Sequence, residues 1–340
     1  MPVMRAMVIS QAGGPFHLEE RPVPAPGAGE ALIRVQACGV CHSDSMVVQG
    51  HAPGLAYPRI PGHEVIGEIE AVGRQVEGWP VGTRVGVGWH SGACGRCGHC
   101  RRGNTFACET IQGATGLTRD GGYATHVLAR ASALARVPEE LDPVESAPLL
   151  CAGLTTFNAL RHCGARPGDL VAIHGVGGLG HLAIQFAVRQ GFRTVAVNRG
   201  RDKEALARSL GAHDYIDGEH DDPAAALRAM GGAAAIIATV TSAAAMQSIA
   251  GGLGVNGTMM VIGAVGALAV DSLELLGKRA AIKGWYSGTA ADSEDTLRFS
   301  QRNGVTSMNE IYPLEQAQAA YERMMSGQAR FRVVLRMDGR

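Results

Sequence analysis

An α/β chain of two domains is what this sequence predicts, one a doubly wound parallel sheet and the other rich in short β-strands. Three observations carry the expectation. The apolar run Leu170-Val171-Ala172-Ile173 leads within two residues into Gly175-Val176-Gly177-Gly178-Leu179-Gly180. Apolar residues then recur at helical spacing (Leu179, Leu182, Ala183, Phe186, Ala187), and Thr194–Val197 makes a second β-rich run. From Asp142 onward strands alternate with helices, whereas the earlier part is built of short strands punctuated by Gly and Pro.

Taken in order, Met4–Ile9 reads as a first strand, Pro22–Glu30 as a turn region and Ala31–Val35 as a second strand. Cys41–Asp44 begins a loop or short helix. Val65–Gly73 and Gly82–Val87 continue the short strands, which suits a small antiparallel or barrel-like domain. Beyond the glycine loop the strands are Val171–Ile173, Thr194–Val197, Ala235–Ala238 and Met259–Ile262, ending near Ile282–Gly284. Helices are expected at Leu179–Gln190, Lys203–Leu210, Ala243–Ile249 and Leu273–Leu276. The tail, with helices at Asp292–Arg302 and Gln316–Met325 and a strand at Phe331–Leu335, does not repeat that pattern and is expected to fold back onto the first domain.

Size and composition agree with this plan. The 340 residues exceed the usual single domain, and 46% hydrophobic with 18% charged residues suits a compact, ordered chain. Lys+Arg and Asp+Glu are both 31, so no charge excess favours a nucleic-acid partner. No apolar stretch is long enough for a membrane span, and the expected compartment is the cytoplasm. The eight cysteines cluster beside histidines and glutamate, which fits metal thiolates better than disulfide bridges.

The glycine loop has a physical purpose. A Cβ at the tight turn, at the diphosphate contact or at the helix–strand contact would hold two surfaces apart. The helix that opens there presents unpaired N–H groups to a diphosphate. No GK[ST] follows, which disfavours a triphosphate loop.

Cys94, Cys97, Cys100 and Cys108 place four thiolates within fifteen residues. A tetrahedral zinc held by four sulfurs is closed to substrate, so this site reads as structural. An iron–sulfur run would call for a shorter last spacing and usually a following proline, and Cys108 is followed by Glu109. Cys41, His63 and Cys151 are farther apart. Two thiolates and an imidazole leave a fourth position open, the stoichiometry of a catalytic zinc. Glu64 adjoins His63, and Asp44 is the kind of group that accepts the other ring N–H. On spacing alone, two buried thiols and a core histidine explain these three residues equally well. Cys38 and Cys163 read as packing residues, and His162 as a capping or surface histidine.

These motifs together carry a family likeness. CGVCHSD at Cys38–Asp44, GHE at Gly62–Glu64, the four-cysteine loop, LCAGLTTFNAL at Leu150–Leu160 and GVGGLG at Gly175–Gly180 follow one another with matching order and spacing. The chain resembles the zinc-dependent alcohol dehydrogenases of the medium-chain dehydrogenase/reductase superfamily. The resemblance implies a GroES-like β-rich catalytic domain from 1–152 and 288–340, carrying a structural-zinc loop at 94–108, and a Rossmann nucleotide-binding domain at 153–287. It also implies Cys41, His63 and Cys151 as catalytic-zinc ligands with Glu64 beside them, and Cys94, Cys97, Cys100 and Cys108 at a structural zinc. Ser43 matches the hydroxyl that bonds the alcohol, His42 and Arg332 match positions near the pyrophosphate, and Thr155 matches a nicotinamide contact. Gly175, Gly177, Gly178 and Gly180 would carry the cofactor loop. A homodimer or homotetramer is implied too.

Two departures bear on function. Met46 stands where many relatives have the histidine that ends the proton relay, leaving ribose hydroxyls, water or His51 for that task. Asn198 stands where NAD-using relatives have an acidic residue; with Arg199 and Arg201 nearby, NADP(H) is favoured over NAD(H). The expected reaction is hydride transfer between nicotinamide and a primary or secondary alcohol or its aldehyde or ketone. A polyol or sugar dehydrogenase is the alternative, since His51–Pro61 with Trp89 and Tyr286 does not decide the pocket. A zinc-stabilised nucleotide-binding protein without turnover is the non-enzyme alternative.

Overall fold

The structure, a computed structural model, describes residues 2–52 and 54–337. Met1, Pro53 within the expected pocket stretch His51–Pro61, and residues 338–340 of the expected catalytic segment lie outside the described residues. The chain divides into two compact units, Met1–Leu154 with Ser287–Arg340, and Thr155–Tyr286.

The first unit is built on a seven-stranded sheet. Its order is Asn309–Pro313, Arg332–Arg336, Glu30–Val40, Val65–Val72, Arg84–Val87, Leu134–Arg136, with His126–Arg130 also on Glu30–Val40. All neighbours are antiparallel except the parallel pair Asn309–Pro313 and Arg332–Arg336. The long strand Glu30–Val40 is central because eight of its eleven residues are buried, all but Glu30, Arg34 and Gln36. Arg332–Arg336 pairs with it through Val333 opposite Val40, which brings the tail of the chain next to the start of the Cys41 loop. Val3–Ile9 pairs with Phe16–Pro22 in a separate ribbon. Phe16–Pro22 escaped the sequence reading because its polar residues His17, Glu19, Glu20 and Arg21 look like a loop.

The second unit is a six-stranded parallel sheet in the order Asp214–Asp217, Arg193–Asn198, Leu170–His174, Ala233–Ala238, Leu253–Val261, Ala281–Gly284. Numbered along this unit, that is 3-2-1-4-5-6, so the order reverses beside Leu170–His174, where doubly wound sheets bind dinucleotides. Every residue of Leu170–His174 is buried. The strand Asp214–Asp217 and the helix Pro223–Ala229 were not expected. The strand has only Tyr215 and Ile216 between two aspartates, a weak β signal that parallel pairing overrides. The helix signal was present: the Asp222 side chain accepts from Ala224 and Ala225 N–H, with Pro223 in the first turn.

His174, at the end of the central strand, is 6% exposed and its Nδ1 has no hydrogen-bond partner. Burial pushes its ring down from 6.5 to about 4. Above pH 6.5 both folded and unfolded chains carry it neutral. Between the two values only the unfolded chain takes the proton, so stability falls as pH falls and levels off below the lower value. The expected loss is roughly 3 kcal/mol across that window. Urea unfolding of wild type and His174→Phe at pH 7.5 and pH 4.5 checks it, and an equal acid loss in both proteins would refute the assignment.

Candidate active site

Strand Glu30–Val40 runs out at Cys41, and one 3-10 turn, His42–Asp44, follows. Asp44 closes the turn by accepting the Cys41 N–H on Oδ2 at 2.8 Å. Its Oδ1 faces His63 Nδ1 at 3.2 Å, and both residues are buried. That pairing assigns the ring proton to Nδ1 and leaves Nε2 as the free donor atom; Nε2 is buried and has no hydrogen-bond partner. Cys151 follows the turn Ala147–Leu150, and its Sγ lies 3.8 Å from Cys41 Sγ, far beyond a disulfide length. The ligand atoms of Cys41, His63, Glu64 and Cys151 all lie within 4.8 Å of one another. Two thiols around a buried, unpartnered imidazole nitrogen are a donor set that fits zinc.

Charge is arranged unevenly in this cluster. The hydrogen bond from Cys151 holds the Cys41 thiol well below its usual range, with His63 adding to the effect against burial. Cys151 is raised in turn by Cys41 and by burial. Burial pushes Glu64 up to about 7 against the pull of the Arg332 guanidinium. Arg332 is 5% exposed, and its Nη2 makes a short hydrogen bond to Glu64 Oε1 and a 3.3 Å bond to the Val40 carbonyl. The other Glu64 oxygen lies over Gly39, where a Cβ would come within 1.8 Å. Gly39 is therefore required for Glu64 to sit where it does.

Around the cluster, the Trp89 ring meets the His63 ring edge-on, 4.8 Å between centroids. Trp89, Met46, Leu55 and Tyr57 pack on buried Val47, Ala114 and Leu117. Ser43 is half-buried, while His42 and His51 are exposed. Cys38 and Cys163 are buried, and His162 stacks on Trp285. One residue that sequence reasoning missed is Tyr123, fully buried, whose hydroxyl donates to Asp44 Oδ2 at 2.8 Å. Its only signal was the preceding pair Gly121-Gly122.

The four sulfurs of Cys94, Cys97, Cys100 and Cys108 also lie within 4.8 Å of one another. Backbone N–H groups point at two of them: Arg96 and Cys97 donate to Cys94 Sγ at 3.5 and 3.3 Å, and Ile111 to Cys108 Sγ at 3.3 Å. These bonds draw the Cys94 thiol down to about 6, whereas burial and the neighbouring thiols push Cys100 up to about 12. A third group, Asp217, Glu219 and His220, is close together as well, but Asp217 already accepts from Gly200 N–H, Glu219 N–H and His220.

In the second unit the glycine loop follows Leu170–His174 and opens the helix Gly180–Arg189. Gly175 has φ +100°, and a Cβ at Gly180 would come within 1.8 Å of the Gly175 carbonyl. A Cβ at Gly177 would meet nothing, so that side of the loop is open to a ligand; Gly178 is half-buried. Asn198 Oδ1 accepts the Val176 N–H at 3.1 Å, and Lys203 Nζ donates to the Val176 carbonyl at 2.7 Å. The N–H and the carbonyl of Val176, in two successive peptides, are thus both held by side chains, a role for Asn198 and Lys203 that spacing did not reveal. Arg199 is exposed, Arg201 pairs with Glu204 at 3.0 Å, and Thr155 is buried in the helix Ala152–Arg161.

Comparison with known proteins finds two family matches. Residues 27–139 match the alcohol dehydrogenase GroES-like domain, and 178–302 the zinc-binding dehydrogenase family. The chain is 43% identical to the alcohol dehydrogenase notN of Aspergillus sp. over 97% of both chains. It is 38% identical to an alcohol dehydrogenase of Geobacillus stearothermophilus, covering 98% of this chain and all of that one. Among solved structures, acetophenone reductase from Geotrichum candidum in complex with NAD superposes with a TM-score of 0.86 at 26% identity, over 99% of this chain and 98% of that one. The chain belongs to the zinc-dependent alcohol dehydrogenases of the medium-chain dehydrogenase/reductase superfamily. It is an oxidoreductase of alcohols and their carbonyl counterparts in a zinc-binding dehydrogenase family. No helix among the described residues is long and apolar enough to cross a membrane.

Proposed function

We propose that Cys41, His63 and Cys151 hold the catalytic zinc, that Cys94, Cys97, Cys100 and Cys108 hold a second, structural one, and that the enzyme interconverts apolar alcohols and carbonyls with NADP(H). The observation that carries the first part is the unpartnered, buried His63 Nε2 beside the Cys41 and Cys151 sulfurs. Bound there, zinc supplies Lewis-acid polarisation of a substrate oxygen, and the coenzyme accepts or returns the hydride.

The protein's own side chains do the rest. Asp44 keeps the His63 ring turned with Nε2 toward the sulfurs and its proton on Nδ1. Arg332 holds Glu64 back by one oxygen, which keeps three protein donors free to share the ion. Ser43, half-buried one residue before Asp44, takes the proton released from an alcohol and hands it outward. With Met46 where many relatives have histidine, no imidazole five residues after Cys41 takes part in that exit. Thr155 and the glycines Gly175, Gly177, Gly178 and Gly180 of the second unit bind the coenzyme.

The apolar wall of Met46, Leu55, Leu117 and Trp89 beside His63 favours hydrocarbon-bearing substrates over polyols, whose hydroxyls would lose water there with little in return. The NADP(H) preference is supported by the missing carboxylate at Asn198 and by exposed Arg199 and Arg201. A homodimer or homotetramer is proposed as well; exposed Leu273, Leu276 and Val255 on the second unit are apolar surface suited to it.

One initial-rate matrix tests the reading: NAD+ and NADP+ against benzyl alcohol, a branched aliphatic alcohol and sorbitol, and NADH and NADPH against their carbonyl partners. NADPH and the apolar substrates are expected to give the higher kcat/KM. Asn198→Asp keeps the oxygen that accepts the Val176 N–H and adds a charge, so it is expected to lower kcat/KM for NADPH by at least about tenfold and spare NADH. A wild type that prefers NADH would defeat the coenzyme assignment, and sorbitol as best substrate would defeat the pocket assignment.

A further inference from the structure

We infer that Tyr123 is a positioning residue for the metal centre, acting on His63 through two routes, its hydroxyl and its ring. This rests on the assignment of Cys41, His63 and Cys151 as metal ligands. The first route is the hydrogen bond to Asp44 Oδ2 at 2.8 Å. Asp44 then has a complete set of partners: the Cys41 N–H and the Tyr123 hydroxyl on Oδ2, and His63 Nδ1 on Oδ1. Two of those partners are proposed ligands. The carboxylate can turn neither way without leaving a buried donor unpaired, and such a loss is costly at 2% exposure.

The second route is steric. Gly62, directly before His63, has φ +102°, and a Cβ on it would come within 2.4 Å of Tyr123 Cδ1. The Tyr123 ring therefore lies against the backbone that aims His63. The ring is itself confined: Phe16 is 5.9 Å away by centroid, a Cβ on Gly122 would strike Cys38 Sγ and Val65, and the Tyr123 backbone is bonded to Pro61 and Met7. A tyrosine hydroxyl buried in an apolar core needs a hydrogen-bond partner. Here it reaches a carboxyl group whose other oxygen orients an imidazole, the arrangement by which outer partners tune a metal ligand.

The test is zinc release to an excess of chelator from the purified, fully loaded enzyme. The phase that is absent from Cys41→Ser belongs to this cluster, and the remaining phase to the four-cysteine loop. In Tyr123→Phe the first phase is expected to be about tenfold faster and the second unchanged. The d–d spectrum of cobalt placed in the cluster should shift in the same variant. Phe16→Leu, which loosens the ring's packing but leaves its hydroxyl in place, weakens only the steric route and is expected to speed the first phase by less than Tyr123→Phe does. Combined with Asp44→Asn, Tyr123→Phe should add no further acceleration, because the route through the carboxylate is already broken.

Unchanged release in Tyr123→Phe, acceleration of both phases together, equal acceleration in Phe16→Leu, or additive effects in the double variant each overturn the inference. A wild type with no Cys41-dependent phase at all overturns the metal assignment itself, a result distinct from any of these.

Discussion

Cys41→Ser is expected to lower turnover by at least about a thousandfold and to remove one of two zinc ions per chain, while the circular dichroism spectrum stays unchanged. The size follows from what is lost: one of three donors to the ion whose charge stabilisation is worth several kcal/mol in such reactions. Serine leaves the shape of the turn intact, because the Asp44 bond that closes it is made to the Cys41 backbone N–H rather than to the sulfur. His63→Ala should abolish turnover equally but at a further cost. Asp44 Oδ1, buried with it, would lose its partner, a penalty of roughly 1–3 kcal/mol in stability. Metal analysis, steady-state rates and thermal melts on the two variants separate these effects. Two zinc ions and normal rates in Cys41→Ser would remove the basis of the proposed mechanism.

The second large effect concerns the loop at 94–108. Replacing Cys97 or Cys100 with serine should cost on the order of 3–5 kcal/mol, a fall of about 10 °C in Tm, and should make the loop the first site of proteolysis. The reason is that little else organises it. Gly92, Gly95 and Gly103 take left-handed φ values, Arg96, Arg101, Arg102 and Asn104 are exposed, and Phe106 is 41% exposed. Beside the Phe106 ring on His90 and the Ala93 N–H on Ser132, its order comes from four sulfurs converging and from N–H groups bonded to two of them. A serine variant with unchanged Tm, metal content and protease resistance would show that packing alone holds the loop. Because this group is separate in sequence from Cys41, its loss should slow turnover far less than Cys41→Ser does.

The two cysteine clusters differ in how far residue spacing alone reveals them. The four-cysteine loop closes on itself within a few turns of chain, so spacing confines its sulfurs to one neighbourhood. The glycine loop is equally local: strand, tight turn and helix are contiguous, and Gly180 must lack a Cβ because the Gly175 carbonyl lies directly against it. The character of the doubly wound sheet was legible from the alternation of its elements. Its edge strand Asp214–Asp217 was not, because two of its four residues are aspartates and pairing, rather than propensity, makes it a strand.

Sequence by itself therefore determined the chemistry on offer: thiols, imidazoles and glycines, with the local turns that present them. Tertiary structure decided which of those groups meet. Cys41 and Cys151 are 110 positions apart, and Arg332 is 268 positions from Glu64. Tyr123 reaches Asp44 across 79, and Asn198 reaches Val176 across 22. Each meeting depends on strand register and on the packing of one element over another, for example Val333 opposite Val40. Periodicity says which face of a strand is buried and nothing about which distant strand lies beside it, so these partnerships exist only once the sheets have formed.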